Sequence, residues 1–353
     1  MRRMILRVWC WCHNFSVDKF DSSPHPTDEV SAVGKKFFAV LLAAAILSGT
    51  TAQTADFITW VDFNVSCEAM QRALQLDIES QGKEKPVSWI DLLALAATHA
   101  GGNTFSPGAV DAAAKELDCD QLPQEFLGEQ YRYFAYYQEA YTAVLGGLVG
   151  NFAIETTDDS GKTDWSAAYG LKAFSPIAAG YWYNHYDDFG NARSYGFARR
   201  HLGNDLMGAL GTPIVAVEGG TVEALGWNQY GGWRIGIRSH DRKRYYYYAH
   251  LRKDAPYAAG LQEGDEVQAG QVIGFMGRTG YSPKENVNNI ETVHLHFGLQ
   301  LIFDESQKEC NSEIWVDVYQ IVRLLDAHRS SVVYNETSGT WERLYPYRDM
   351  DEI

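Results

Sequence analysis

Val293-His294-Leu295-His296-Phe297-Gly298 is the stretch from which the rest of this chain is read. In a β-strand successive side chains point to opposite faces, so His294 and His296 share one face while Leu295 and Phe297 enter the layer behind. By strand rise the two imidazoles sit roughly 6–7 Å apart. Both reach one site, where one imidazole can be a ligand and the other can serve metal-bound water. Paired imidazoles on one face point to metal chemistry. Two further candidates, His201 and Asp205, lie upstream in His201-Leu202-Gly203-Asn204-Asp205, a spacing in which Gly203 argues against a regular helix. A loop or strand end that folds back would aim both at the same ion.

Between these blocks the texture is of short β segments cut by glycine turns. Pro213 to Val217, Thr221 to Leu225, Trp233 to Ile237, Tyr245 to His250 and Val272 to Met276 are each of strand length. Glu218-Gly219-Gly220 and Tyr230-Gly231-Gly232 read as hairpin connections. Several short strands at such spacing imply an antiparallel sandwich or barrel. Beyond the paired histidines, Trp315, Val318, Val322 and Leu325 recur at helical spacing, which predicts an amphipathic helix from Ile314 to His328.

Toward the N-terminus the pattern turns helical. Ser66 is placed to cap a helix through Leu76, Ser88 another through His99, and Ser106-Pro107 opens a third with proline in its first turn. Pro123 opens a longer aromatic helix reaching toward Gly146-Gly147. Acids outnumber bases here, so the simplest reading is a solvated acidic surface, serving as a spacer or for docking a protein partner. Further upstream, Lys35-Lys36, the apolar run Phe37 to Leu47 and small residues through Ala55 follow the order of an export signal. Cleavage after Ala52 or Ala55 is expected, with an uncleaved membrane anchor as the runner-up. Residues 1–34 carry no assigned function.

The net charge of −15 argues against nucleic acid as a partner, because phosphate binding needs clustered Lys and Arg. The five cysteines include no C-x-x-C pair, so a structural zinc knuckle is not expected. Cys67 and Cys119 share the helical region and are candidates for a bridge in an exported protein. His185 and His240 match no motif and are read as surface residues, with His185 near a cleft rim.

Four blocks together resemble the lysostaphin and LytM-type zinc endopeptidases that cut peptidoglycan peptides. They are His201-Leu202-Gly203-Asn204-Asp205 with Gly211-Thr212-Pro213, Tyr248-Ala249-His250-Leu251, Gly264 to Gly274, and His294-Leu295-His296-Phe297. The resemblance covers residues 175–303. It implies that His201, Asp205 and His296 hold one Zn²⁺ per chain with one open position, that His294 is the general base, and that His250 stabilises the tetrahedral intermediate. Two imidazoles, one carboxylate and an open corner are also what a catalytic zinc site requires. Gly298 departs from the acid that many relatives carry after the aromatic residue. The segment Tyr281 to Thr292 is longer and more polar than the usual turn.

The expected architecture is therefore α+β and multidomain. An export signal or membrane anchor occupies residues 1–55, an acidic all-α domain 56–155 and a linker 156–170. An all-β antiparallel barrel-sandwich-hybrid zinc endopeptidase domain with a C-terminal helix spans 171–330, followed by a polar tail over 331–353. The expected activity is extracytoplasmic hydrolysis of peptide bonds in peptidoglycan. The alternative is a non-catalytic LytM-type module that binds cell wall, activates a hydrolase or builds an envelope complex.

Overall fold

The computed structural model describes residues 9–11, 58–61, 63–118, 133–157, 160–195, 197–309 and 312–350. The export segment and Cys119 lie outside the described residues, and so does the expected Cys67–Cys119 bridge; Cys67 itself is buried. No described helix is long and apolar enough to cross a membrane.

The capping signals act where the sequence puts them. The Ser66 hydroxyl accepts from the Ala69 amide at the head of the Cys67–Ser80 helix, and the Ser88 hydroxyl from the Ile90 amide at the head of Trp89–Ala100. Gly101 ends the second helix at φ +59°, a left-handed cap that costs glycine little. Pro107–Asp118 and Phe134–Leu145 complete the described helices of this region. Leu92, Leu93 and Leu95 are fully buried, each contributing roughly 1.5–3 kcal/mol of transfer free energy. One of the acids is also internal: Asp77 is buried and accepts from the Trp89 amide and the Tyr169 hydroxyl, both at 2.9 Å. The acidic composition is thus only partly a solvated surface.

The main sheet is open rather than a closed barrel. Its path through the described strands is Trp9–Trp11, Ile58–Val61, Glu313–Val316, His294–Leu301, Arg244–Ala249, Gly232–Ser239, Gly220–Asn228 and Glu266–Val267. It is not purely antiparallel, because Ile58–Val61 runs parallel to Glu313–Val316. The His294–Leu301 strand has two partners on one edge: Asn204–Gly208 pairs with its first half and Glu313–Val316 with its second. Strict alternation sends Leu295, Phe297, Tyr246 and Tyr248 into the core and leaves His296, Tyr245 and Tyr247 on the opposite face.

Five sequence expectations change. Tyr230-Gly231 does turn a hairpin between Gly220–Asn228 and Gly232–Ser239, but Glu218-Gly219 does not. Pro213–Val215 leaves the main sheet to pair with Val272–Phe275, so the residues after it connect two sheets. The C-terminal helix is only Tyr319–Leu325, because Glu313–Val316 is captured as a strand by the edge of His294–Leu301. Residues 156–170, read as a linker, contain most of a paired hairpin formed by Val149–Thr157 and Thr163–Leu171. The residues read as a polar tail form Val332–Asn335, Thr340–Arg343 and Tyr347–Asp349; the last pairs with Val149–Thr157 and buries Tyr347. The partners of Pro213–Val215, Glu313–Val316 and Tyr347–Asp349 are other strands brought alongside by the fold, so local composition carries no sign of them.

Candidate active site

The site lies where Asn204–Gly208 meets His294–Leu301. Their register sets Asp205 directly opposite His296, and His201 arrives from the residues just before. Ligand-type atoms of His201, Asp205 and His296 all lie within 4.8 Å of one another. His201 Nε2 is 2.8 Å from His296 Nδ1 and 3.0 Å from Asp205 Oδ1, which is itself 3.4 Å from His296 Nδ1. The H-x-x-x-D spacing is thus satisfied by a turn into a strand.

Gly203 makes this approach feasible. A Cβ there would lie 2.5 Å from the Phe297 carbonyl oxygen and 2.9 Å from His296 Nε2. Gly203→Ala is expected to push the His296 ring off the centre and weaken zinc affinity at least about tenfold, comparable to losing a group that orients a ligand. Titration with a fluorescent chelator measures this; unchanged affinity would show that the strand relaxes without moving the ring.

Around the three candidate ligands is a set of supports that sequence reasoning did not identify. His201 Nδ1 faces the Asp188 carbonyl at 3.1 Å and its carboxylate at 3.2 Å, so its Nδ1 proton is held there and Nε2 is the atom turned to the centre. Arg193 donates to Asp188 at 2.5 Å and to Asp205 Oδ2 at 3.2 Å. Asp205 Oδ2 is thereby satisfied, while Oδ1 is buried among imidazoles without an aligned hydrogen bond. A buried carboxylate oxygen left without such a partner beside two imidazole nitrogens fits a divalent ion such as zinc. The electrostatics agree. Burial pushes His296 down to about 4, so its ring is neutral near pH 7. Burial also acts to lower His201, but the adjoining carboxylates of Asp188 and Asp205 outweigh it and raise the group to about 9. Burial opposes ionisation of Asp205 too, yet its neighbouring imidazoles hold it well below the carboxylate range. An incoming cation would displace the His201 proton that these carboxylates retain.

His294 and His250 flank the cluster with their rings 4.8 Å apart. His294 Nδ1 donates to the Thr292 carbonyl at 2.9 Å, leaving Nε2 bare and 3.7 Å from Asp205 Oδ1. His250 follows the Arg244–Ala249 strand at φ +61° and donates from Nδ1 to the Thr279 carbonyl at 2.9 Å. Its Nε2 is therefore also bare, and burial, the leading cause, lowers its pKa well below the usual value. A neutral His250 in this tautomer accepts at Nε2, so donating to an oxyanion requires it to gain a proton first. Backbone carbonyls set both tautomers, and no side-chain pattern in the sequence could reveal them.

The five residues line one end of a cleft of about 720 Å³. Gly298 lies beside Trp315, which lines the cleft: a Cβ at this position would lie 2.8 Å from the Trp315 ring, so the missing side chain makes room for an aromatic neighbour. The segment from Tyr281 to Thr292 is tied to the neighbouring strand and loop, with Asn286 accepting from Trp233 Nε1 and donating to Asp254. His185, expected at the surface, packs against Tyr319 at 4.6 Å and is lowered to about 4 by burial. His240 is about a third exposed, 3.5 Å from Glu266 and remote from the cluster by topology.

Residues 199–309 match the model of peptidase family M23. The L-Ala–D-Glu endopeptidase of Bacillus subtilis is 40% identical over 117 residues, which are 33% of this chain and 34% of that protein. Lysostaphin of Staphylococcus staphylolyticus is 38% identical over 98 residues, 28% of this chain and 18% of that protein. The chain thus spans about a third or less of the length of these curated relatives. A solved structure from Ruminococcus gnavus, described as a putative glycyl-glycine endopeptidase lytM, is 26% identical and covers 76% of this chain and 99% of its own, with a TM-score of 0.43.

Proposed function

Because the chain carries a peptidase family M23 domain over residues 199–309, we propose that it is a zinc endopeptidase that hydrolyses peptide bonds of peptidoglycan. One observation carries this reading: His201, Asp205 and His296 converge within 4.8 Å at the end of an open cleft, with two further imidazoles beside them. The ligand set that a non-catalytic module would be expected to have lost is present.

His201, Asp205 and His296 would hold the ion, which supplies a Lewis acid for the scissile carbonyl and lowers the pKa of the attacking water. His294 Nε2, bare because Nδ1 is committed to Thr292, takes the proton as water adds to the carbonyl carbon. The same proton then passes to the departing amide nitrogen, so no covalent enzyme adduct forms. His250 offers a second acceptor on the same side and becomes a donor once protonated. Arg193 and Asp188 keep His201 and Asp205 in place throughout. The substrate polymer lies outside the cytoplasm, and the reading of Lys35 to Ala55 as an export segment puts the chain there as well.

The purified chain is expected to bind about one zinc and to release new amino termini from isolated peptidoglycan. Treatment with 1,10-phenanthroline should abolish release, and added zinc should restore it. Release that persists in the fully chelated protein, or zinc binding with no release from any peptidoglycan type, would overturn the proposal.

A further inference from the structure

We propose that Arg199 is a specificity-determining residue that receives a carboxylate of the substrate, within about three residues of the scissile bond at roughly 3.3 Å of extended peptide per residue. The proposal rests on the hydrolase reading above and deepens it, because it assigns the substrate an acidic peptide.

Arg199 lies in the strand Phe197–Arg200, two residues before His201, and lines the same cleft. Its Cζ sits over the Tyr230 ring at 5.0 Å and over the Tyr281 ring at 4.9 Å. The two tyrosines are joined through their backbones, Tyr281 donating to the Tyr230 carbonyl at 3.3 Å, so the aromatic bracket is a fixed part of the cleft wall. Cation–π contact orients a guanidinium through the ring faces and does not consume its N–H donors. The bracket therefore positions Arg199 while leaving its hydrogen-bonding edge for a ligand.

The neighbouring arginines are engaged differently. Arg193 is spent on Asp188 and Asp205, and Arg200 donates to the Gly190 carbonyl. Among the described residues no carboxylate forms an ion pair with Arg199. That is informative in a chain with 45 acidic and 30 basic residues, where a protein carboxylate is the more available partner. The Tyr281 ring is also 5.8 Å from the His250 ring, which keeps the guanidinium close to the reacting end of the cleft. A planar guanidinium suits bidentate recognition of a carboxylate, which a lysine would meet only as a point charge.

The test uses two synthetic peptidoglycan stem peptides that differ only in bearing a D-glutamate carboxylate or its carboxamide. Binding is measured by calorimetry to the zinc-loaded full chain carrying His294→Ala. The acid peptide should bind about 10- to 100-fold more tightly, the range expected for charge-assisted hydrogen bonds. Adding Arg199→Gln should erase the difference, and Arg199→Lys should restore part of it. Equal binding of the two peptides when Arg199 is present, no measurable binding of the acid peptide, or a preference that survives Arg199→Gln overturns the assignment. Cleavage by the unsubstituted chain is scored separately. Tight, Arg199-dependent binding of the acid peptide without cleavage of any peptide would sink the hydrolase reading and leave the carboxylate site standing.

Discussion

His294→Ala is expected to lower kcat on peptidoglycan by about 10²- to 10⁴-fold, the usual contribution of a positioned general base, with zinc content unchanged. The separation follows from the geometry. His294 Nδ1 is anchored on Thr292, and its Nε2 stands 3.7 Å from Asp205 Oδ1, outside the trio of His201, Asp205 and His296. Its place in the strand is held by the backbone, with the His294 amide donating to the Gly277 carbonyl and Met207 opposite in register. Removing the ring therefore leaves the strand and the candidate ligands in place. Metal analysis and initial rates on the same preparation check this. A variant that keeps rates within about tenfold of the parent would give the proton-transfer role to His250, whose Nε2 is bare in the same way.

Glu218→Ala should destabilise the chain by about 3–5 kcal/mol, the cost of leaving a buried charge without its partner. Arg244 is 1% exposed and meets Glu218 with two hydrogen bonds, at 2.8 and 3.0 Å, while the Tyr246 hydroxyl donates to the same carboxylate at 2.6 Å. Arg244 also donates to the Ala143 carbonyl at 3.2 Å, so this pair joins the Phe134–Leu145 helix to the Arg244–Ala249 strand. The Asp241 carboxylate at 3.0 Å is more exposed and replaces little of what is lost. Urea midpoints measure the effect. Replacing both partners, as Glu218→Gln with Arg244→Met, should recover much of the loss, because no buried charge is then stranded. A single-variant midpoint equal to the parent's would mean that water reaches the guanidinium.

The two interactions differ in how far the sequence reveals them. His294 and His296 are legible because a two-residue period on a strand is a local geometric rule, and the four motif blocks identify His201, Asp205 and His250 alongside them. The helix starts at Ser66, Ser88 and Pro107 are legible for the same reason, since capping is settled within a few residues. Glu218 and Arg244 carry no such signal, being 26 residues apart, one in the bend before Gly220–Asn228 and the other at the head of Arg244–Ala249. The C-terminal helix is shorter than its apolar spacing suggests because Ile314, Trp315 and Val316 suit a strand once an open edge is beside them, and only the fold supplies that edge.

By itself the sequence determined which side chains are available for chemistry: two imidazoles on one strand face, a histidine and an aspartate four residues apart, and glycines where chains approach closely. Those features depend on neighbours a few bonds away, so they survive in a linear reading. Tertiary structure decided what each nitrogen presents to the cleft. The tautomers of His201, His250 and His294 are set by Asp188 and by the Thr279 and Thr292 carbonyls, and the orientation of Arg199 by Tyr230 and Tyr281. Proton positions and open hydrogen-bonding edges belong to through-space contacts, and those exist only after the strands have paired.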